Sequence, residues 1–225
     1  MSKALMVHQR LLETFGHPQW RNPKPPLDEL VSTILSQNTN DANRDKAFKN
    51  LRTRFPSWEK VRDADIHSLI DAIRPAGLAN QKAPRIQAIL REISTQRGQL
   101  DLGFLHDLPP KAVFQRLIQF KGVGPKTAAI VMLFALGIPA FPVDTHIYRV
   151  AGRLGLRPDK VNREKAQEYL EKQFPPEAYC AAHLNIIRLG RTICQARRPL
   201  CPRCPLQDIC DFAAEHPDLS QGQPA

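Results

Sequence analysis

The sequence predicts an all-α fold built as two helical domains, and three observations predict it. Apolar residues recur at helical spacing in nine separate stretches. Gly, Pro, Asn and Asp separate those stretches, and no run alternates with period two for long enough to make a strand. The length of 225 residues suits one or two domains with a normal buried core. With 42% hydrophobic and 24% charged residues, the composition is that of a globular chain and excludes a disordered one.

The elements follow in order. An N-terminal helix precedes Pro23–Pro26. The next helix spans Leu27–Leu35, with Leu27, Leu30, Val31, Ile34 and Leu35 on one face, and Asp41–Phe55 is another. Ile66–Ile73, Pro84–Ile93, Lys111–Gln119, Thr127–Leu136, His146–Leu154, Glu164–Phe174 and Pro176–Leu189 complete the set. The proline clusters Pro23–Pro26 and Pro139–Pro142 break helices and mark crossings between packed units. They bound a helical domain at 23–138. Residues 1–22 with 139–213 make the second, and 214–225, ending Ser-Gln-Gly-Gln-Pro-Ala, reads as a flexible tail.

The net charge of +10 points to a polyanionic partner. Three segments contain no acidic residue: Ala72–Arg91, Leu108–Val143 and Ala178–Gln207. They hold thirteen Lys and Arg, which leaves the remainder at −3. One such run is a solvated face by default. Three of them favour a phosphate-tracking surface assembled from distant parts of the chain. A membrane surface is the weaker alternative, because no segment is a basic amphipathic helix with a broad aromatic face. The longest apolar stretch, Ala128–Phe141, is interrupted by Gly137 and Pro139 and is too short to span a bilayer. No signal or transit peptide is recognisable, so a cytoplasmic, nucleoid-associated protein of bacterial type is expected.

Lys121-Gly122-Val123-Gly124-Pro125-Lys126-Thr127 lies between two helical segments, with Pro125 suited to the first turn of the second. Two glycines permit a tight turn, and the next helix then presents free N–H groups to an anion such as a DNA phosphate. The macrodipole at that terminus disfavours a protonated Lys126, a setting in which a partly buried lysine becomes a nucleophilic amine. On local sequence alone, a solvated lysine or plain phosphate contact is the better reading. Asp144, in Val143-Asp144-Thr145-His146, is by default an N-cap. Functionally it is a carboxylate facing Lys126 across an interdomain cleft, able to take a proton or stabilise a sugar cation. His146 reads as a structural hydrogen-bonder.

Cys194, Cys201, Cys204 and Cys210 follow a C-x6-C-x2-C-x5-C pattern, held open by Pro199, Pro202 and Pro205. Four thiols this close point to a shared metal site, since a disulfide pair would be reduced in the cytosol. Zinc sites commonly pair two short C-x2–4-C hairpins, and here there is one. The spacing favours an iron–sulfur cluster and leaves zinc open. Cys180 lies outside the pattern and reads as a buried thiol.

Taken in this order, Lys121–Thr127, Val143–His146 and the cysteine spacing resemble endonuclease III, of the helix-hairpin-helix DNA glycosylase superfamily. The resemblance runs from about Leu27 to Phe212. It implies two α-helical domains with DNA in the cleft between them: a helical-barrel domain with the helix-hairpin-helix, and one carrying a [4Fe–4S] cluster. It implies excision of oxidised pyrimidines, then strand cutting by β-elimination, on double-stranded DNA with a damaged base or abasic site, by a monomer with no membrane partner. Lys126 matches the Schiff-base nucleophile and Asp144 the catalytic carboxylate. Cys194, Cys201, Cys204 and Cys210 match the cluster ligands. Lys121, Gly122 and Gly124 lie in the DNA-binding hairpin, Arg197 and Arg198 in the basic loop that touches phosphates, and Leu78 at the wedge that enters the base stack.

Three positions depart from the family pattern. Lys121 stands where proline is usual, and Ala79 where an aromatic residue is common. The glutamine that fills the hole left by a flipped base aligns with Asn38, with Gln37 one place away. Two other classes remain: a non-catalytic helix-hairpin-helix DNA-binding module with structural zinc, and a monofunctional glycosylase using only Asp144.

Overall fold

The computed structural model describes residues 1–19 and 23–220. Among them every regular element is helical, and no strand occurs. Two compact units form, one from residues 23–138 and the other from the described parts of 1–22 and 139–225. The first helix of the chain, α1 (Lys3–Phe15), belongs to the second unit.

The unit of residues 23–138 is organised around α2 (Pro26–Ser36). Pro26 opens it at a position where its missing N–H costs nothing, and Asp28 and Glu29 complement the helix dipole. Leu30, Val31, Ile34 and Leu35 are essentially inaccessible, and Ser32, Thr33 and Glu29 are buried as well. A helix buried nearly all round is the centre of its unit. Each fully buried Leu or Ile contributes about 1.5–3 kcal/mol by leaving water.

Around α2 pack α3 (Asp41–Arg54), α6 (Ala79–Arg97) and α8 (Pro125–Ala135), with α4 (Trp58–Asp63), α5 (Ile66–Ile73) and α7 (Pro110–Gln119) outside them. Short polar caps fix the starts: Asn40 accepts from Asn43 N at 2.9 Å, Ser57 from Lys60 N at 3.3 Å and Asp65 from Ser68 N at 2.8 Å.

The second unit packs α11 (Tyr179–Thr192) against α1 and α9 (Thr145–Arg153), with α10 (Arg163–Gln173) nearby in sequence and α12 (Asp211–Glu215) and α13 (Pro217–Ser220) closing the chain. Phe141 meets Phe174 and Tyr179 at ring separations of 5.3 and 5.4 Å. Asn185 donates to the carbonyls of Gly16 and Leu11, satisfying the end of α1. Gly190 lets α11 approach α9 closely: a Cβ there would meet His146 Cβ at 3.1 Å and Val150 Cγ2 at 3.3 Å.

Several expected boundaries shift. The helix expected to begin at Pro84 begins at Ala79 and holds Pro84 inside it. One lost hydrogen bond is outweighed by burial of Ala83, Ile86, Ile89, Leu90 and Ile93 along the same face. Trp58–Asp63 is helical in a stretch where none was expected. The tail expected from residue 214 is partly structured: α12 and α13 extend to Ser220, helped by stacking of Phe212 on His216 at 4.1 Å. Residues 221–225 of that expected tail lie outside the described residues.

Candidate functional site

The hairpin between α7 and α8 is anchored by buried Phe120 and Val123, which leave Lys121, Gly122 and Gly124 at the surface. Gly122 adopts φ +84°, which a residue with a Cβ resists. The Arg85 side chain also lies where such a Cβ would stand. Gly124 is different. Its backbone is extended (φ −97°, ψ 178°), and a Cβ would meet nothing within 4 Å. The turn needs glycine for its shape at Gly122, while Gly124 is bare toward open space.

Lys126 is the second residue of α8. It is exposed, not partly buried, and its side chain makes no hydrogen bond or ion pair among the described residues. Gln37 is brought to the same hairpin: its amide donates to Gly122 O at 3.4 Å and accepts from Arg85 Nη1 at 2.8 Å. Asn38 beside it is exposed, with no side-chain hydrogen bond among the described residues.

Asn38 (φ 54°) and Leu78 (φ 50°) are the two non-glycine residues with positive φ among those described. For leucine this conformation costs roughly 1–2 kcal/mol, so the surrounding fold must impose it. Leu78 is 46% exposed, and α6 begins immediately after it. Under this pair lies Lys82, only 1% exposed. Its Nζ donates to Leu35 O and Ala76 O, each at 2.8 Å. Burial, with Arg85 nearby, pushes its ammonium down to about 8. Neither Lys82 nor Arg85 was singled out from sequence. Lys82 lies on the buried face of α6 with Ile86, Ile89, Leu90 and Ile93, and which carbonyls it reaches depends on how α6 packs on α2.

In the other unit, Asp144 caps α9. Its Oδ1 accepts from Ile147 N at 2.8 Å, while Oδ2 has no partner among the described residues. The default capping role therefore occupies one oxygen and leaves one free. His146 contacts Arg149 at 3.2 Å, which fits a structural role. Arg149 and Arg153, one turn apart on α9, grip the start of the cysteine loop. Arg149 donates to Cys194 O and Gly190 O, and Arg153 to Gln195 O, Ala196 O and, at 3.3 Å, Cys194 Sγ. The Arg153 guanidinium also lies 4.4 Å from the Phe212 ring centroid.

Cys194, Cys201, Cys204 and Cys210 line one pocket together with Arg153 and Phe212. Among the described residues, no group of three or more His, Cys, Asp or Glu converges as it would around a single ion. Burial pushes the Cys204 thiol up to about 11 and also raises Cys201 and Cys210. Four thiols around an apolar space, with an arginine hydrogen-bonding one sulfur, are a donor set suited to a soft, thiolate-bound metal group. Arg197 and Arg198 project from the loop, exposed and without a carboxylate partner among the described residues. Cys180, expected to be buried, is half-buried on α11.

Residues 31–176 match the HhH-GPD superfamily, described as base excision DNA repair proteins. Endonuclease III of Sulfolobus acidocaldarius is 35% identical over 185 residues, covering 81% of this chain and 80% of that protein. An Arabidopsis thaliana protein named as a candidate DNA glycosylase is 42% identical over 151 residues, and the chain spans about half (52%) of its length. A trapped endonuclease III–DNA covalent intermediate superposes with a TM-score of 0.79 at 28% identity, covering 96% of this chain and 98% of that one. The chain is thus an endonuclease III-like member of the HhH-GPD superfamily of base excision DNA repair proteins.

Proposed function

We propose that this protein is a bifunctional DNA glycosylase and abasic-site lyase that removes oxidised pyrimidines from double-stranded DNA. The observation that carries the reading is Lys126: an amine without a salt-bridge partner among the described residues, exposed on the first turn of the helix that leaves a glycine hairpin. An acidic neighbour would hold such an amine as an ion pair, and none of the described residues does.

The chemistry assigns each residue a task. A stacked base is out of reach, so the nucleotide is extruded at a cost of a few kcal/mol. Leu78 enters the stack and Asn38 takes the space the base leaves, which offsets part of that cost. Backbone N–H groups at the start of α8, beside Gly122, Gly124 and Lys121, bind a phosphate of the same strand. Gln37 braces the hairpin behind them through Arg85 and Gly122 O. The unprotonated Lys126 amine attacks C1′, the N–C1′ bond forms and the glycosidic bond breaks. The departing base takes a proton from the attacking nitrogen. The C1′–O4′ bond then opens, with a proton taken up on O4′, to leave an iminium. This acidifies the C2′ proton, whose loss expels the 3′ phosphate by β-elimination. The free oxygen of Asp144 stabilises the cationic stages. Arg197 and Arg198 add sequence-independent phosphate contacts.

Cys194, Cys201, Cys204 and Cys210 fit a [4Fe–4S] cluster. Their thiolates would hold the group, and its iron would tie the basic loop into one shape. The uneven C-x6-C-x2-C-x5-C spacing supports the cluster over zinc. Iron and acid-labile sulfide in near-equal amounts, with a broad visible absorption, are expected; one colourless zinc per chain would overturn it.

Borohydride trapping on lesion-containing duplex tests the reaction. A covalent protein–DNA adduct that Lys126→Ala abolishes, while duplex binding survives, is expected. Base release without any adduct would make the protein a monofunctional glycosylase. Neither release nor adduct would leave a DNA-binding module.

A further inference from the structure

We propose that Lys82 is a positioning residue that ties the two DNA-inserting segments, Asn38 and Leu78, together through one buried ammonium bridging Leu35 O and Ala76 O. The inference rests on the glycosylase reading above.

Leu35 O belongs to the last turn of α2, three residues before Asn38, and Ala76 O closes a 3-10 turn two residues before Leu78. Both carbonyls lie where helical geometry leaves acceptors without a partner. A separate water or side chain could satisfy each. One ammonium instead reaches both, at equal 2.8 Å distances. It does so from the first turn of α6, the helix whose start is Leu78 itself.

Burying an ammonium is costly, and a methionine of similar length would fill the same volume without that cost. What methionine cannot do is hold two loop ends at a fixed separation. The two positive-φ residues flank this bridge, one on each tied segment. A wedge and a filler that enter the same stack are useful only if their spacing is set before DNA arrives, to within about half an ångström. Lys82 touches neither substrate nor reacting atom, so its effect is on extrusion and not on the chemical step.

The experiment compares wild type with Lys82→Met and Lys82→Gln in single-turnover reactions. Each is measured for base release from a paired oxidised pyrimidine and for cleavage of a preformed abasic site. A 2-aminopurine beside the lesion reports extrusion, and thermal unfolding reports the folded fraction. For Lys82→Met, base release is expected to fall about tenfold more than abasic-site cleavage, with a weaker 2-aminopurine signal; tenfold is the scale of one lost charged hydrogen bond. Lys82→Gln, which keeps N–H donors on a shorter stem, should lie between. Equal loss of both activities, or an undiminished extrusion signal, overturns the proposal. If neither variant folds, the lysine serves folding and the positioning role falls. A wild type that performs neither reaction would instead defeat the glycosylase reading.

Discussion

The two units solve the same problem, holding reactive residues still, in opposite ways. In residues 23–138 the protein supplies all the restraint itself. Lys82 bridges two carbonyls, Gln37 and Arg85 brace Gly122, and Asn38 and Leu78 are forced to positive φ. In the unit of the cysteines, Arg149 and Arg153 grip the start of the loop, Arg10 holds its end through Asp208 and Pro205 O, and four thiols line one pocket. The difference teaches where each unit is vulnerable: the first to a change of backbone, the second to loss of a donor.

The largest effect should come from the second kind. Cys201→Ser removes a soft donor from a loop with little core of its own. It should cost about 3 kcal/mol or more, lowering Tm by about 10 °C, with loss of visible absorbance. A stable, equally coloured variant would break the comparison, since the loop would then be as self-supporting as the hairpin.

Next comes a pair of glycines two residues apart with different demands on the turn. Gly122→Ala forces a Cβ onto φ +84° and into Arg85, and should cost about 2 kcal/mol of stability. Gly124→Ala has room and an ordinary backbone. It should change stability by less than about 0.5 kcal/mol, yet weaken duplex binding if a phosphate lies against it. Chemical denaturation and binding titration separate the two; equal stability losses would remove the distinction.

Leu78 sharpens the idea of imposed backbone. Glycine ordinarily destabilises relative to alanine inside a helix, but at the φ of 50° before α6 the order should be reversed, with Leu78→Gly about 1 kcal/mol more stable than Leu78→Ala. Both should excise poorly. If alanine is the more stable, the strain is not real. The smallest effect belongs to the surface: Arg197→Ala and Arg198→Ala should each flatten the log–log salt dependence of DNA binding by about 0.9, for damaged and undamaged duplexes alike.

Much of this was legible in the sequence, for identifiable reasons. The helix around Leu30, Ile34 and Leu35 announces itself because its apolar residues repeat over three turns. Trp58–Asp63 does not, because six residues are too few for a period to show. Pro84 reads as a helix start because proline breaks isolated helices, whereas tertiary burial holds it within α6. The hairpin, Asp144 and the four cysteines carry distinctive spacings. Lys82 and Arg85 carry none, because their importance lies in which carbonyl or glycine they reach, and that depends on contacts between α6 and α2. The choice between Gln37 and Asn38 was open for the same reason: only the hydrogen bonds show that Gln37 is already engaged while Asn38 is not.

Gly190 constrains how this protein can change over generations. A methyl there would crowd His146, Arg149 and Val150 at 3.1–3.3 Å, so α9 would have to give by a few tenths of an ångström. A larger residue asks for more, and its cost falls if Val150 is shortened at the same time. Shortening Val150 alone opens a void in a buried position. The two positions are therefore coupled, and change at one alters what the other can accept.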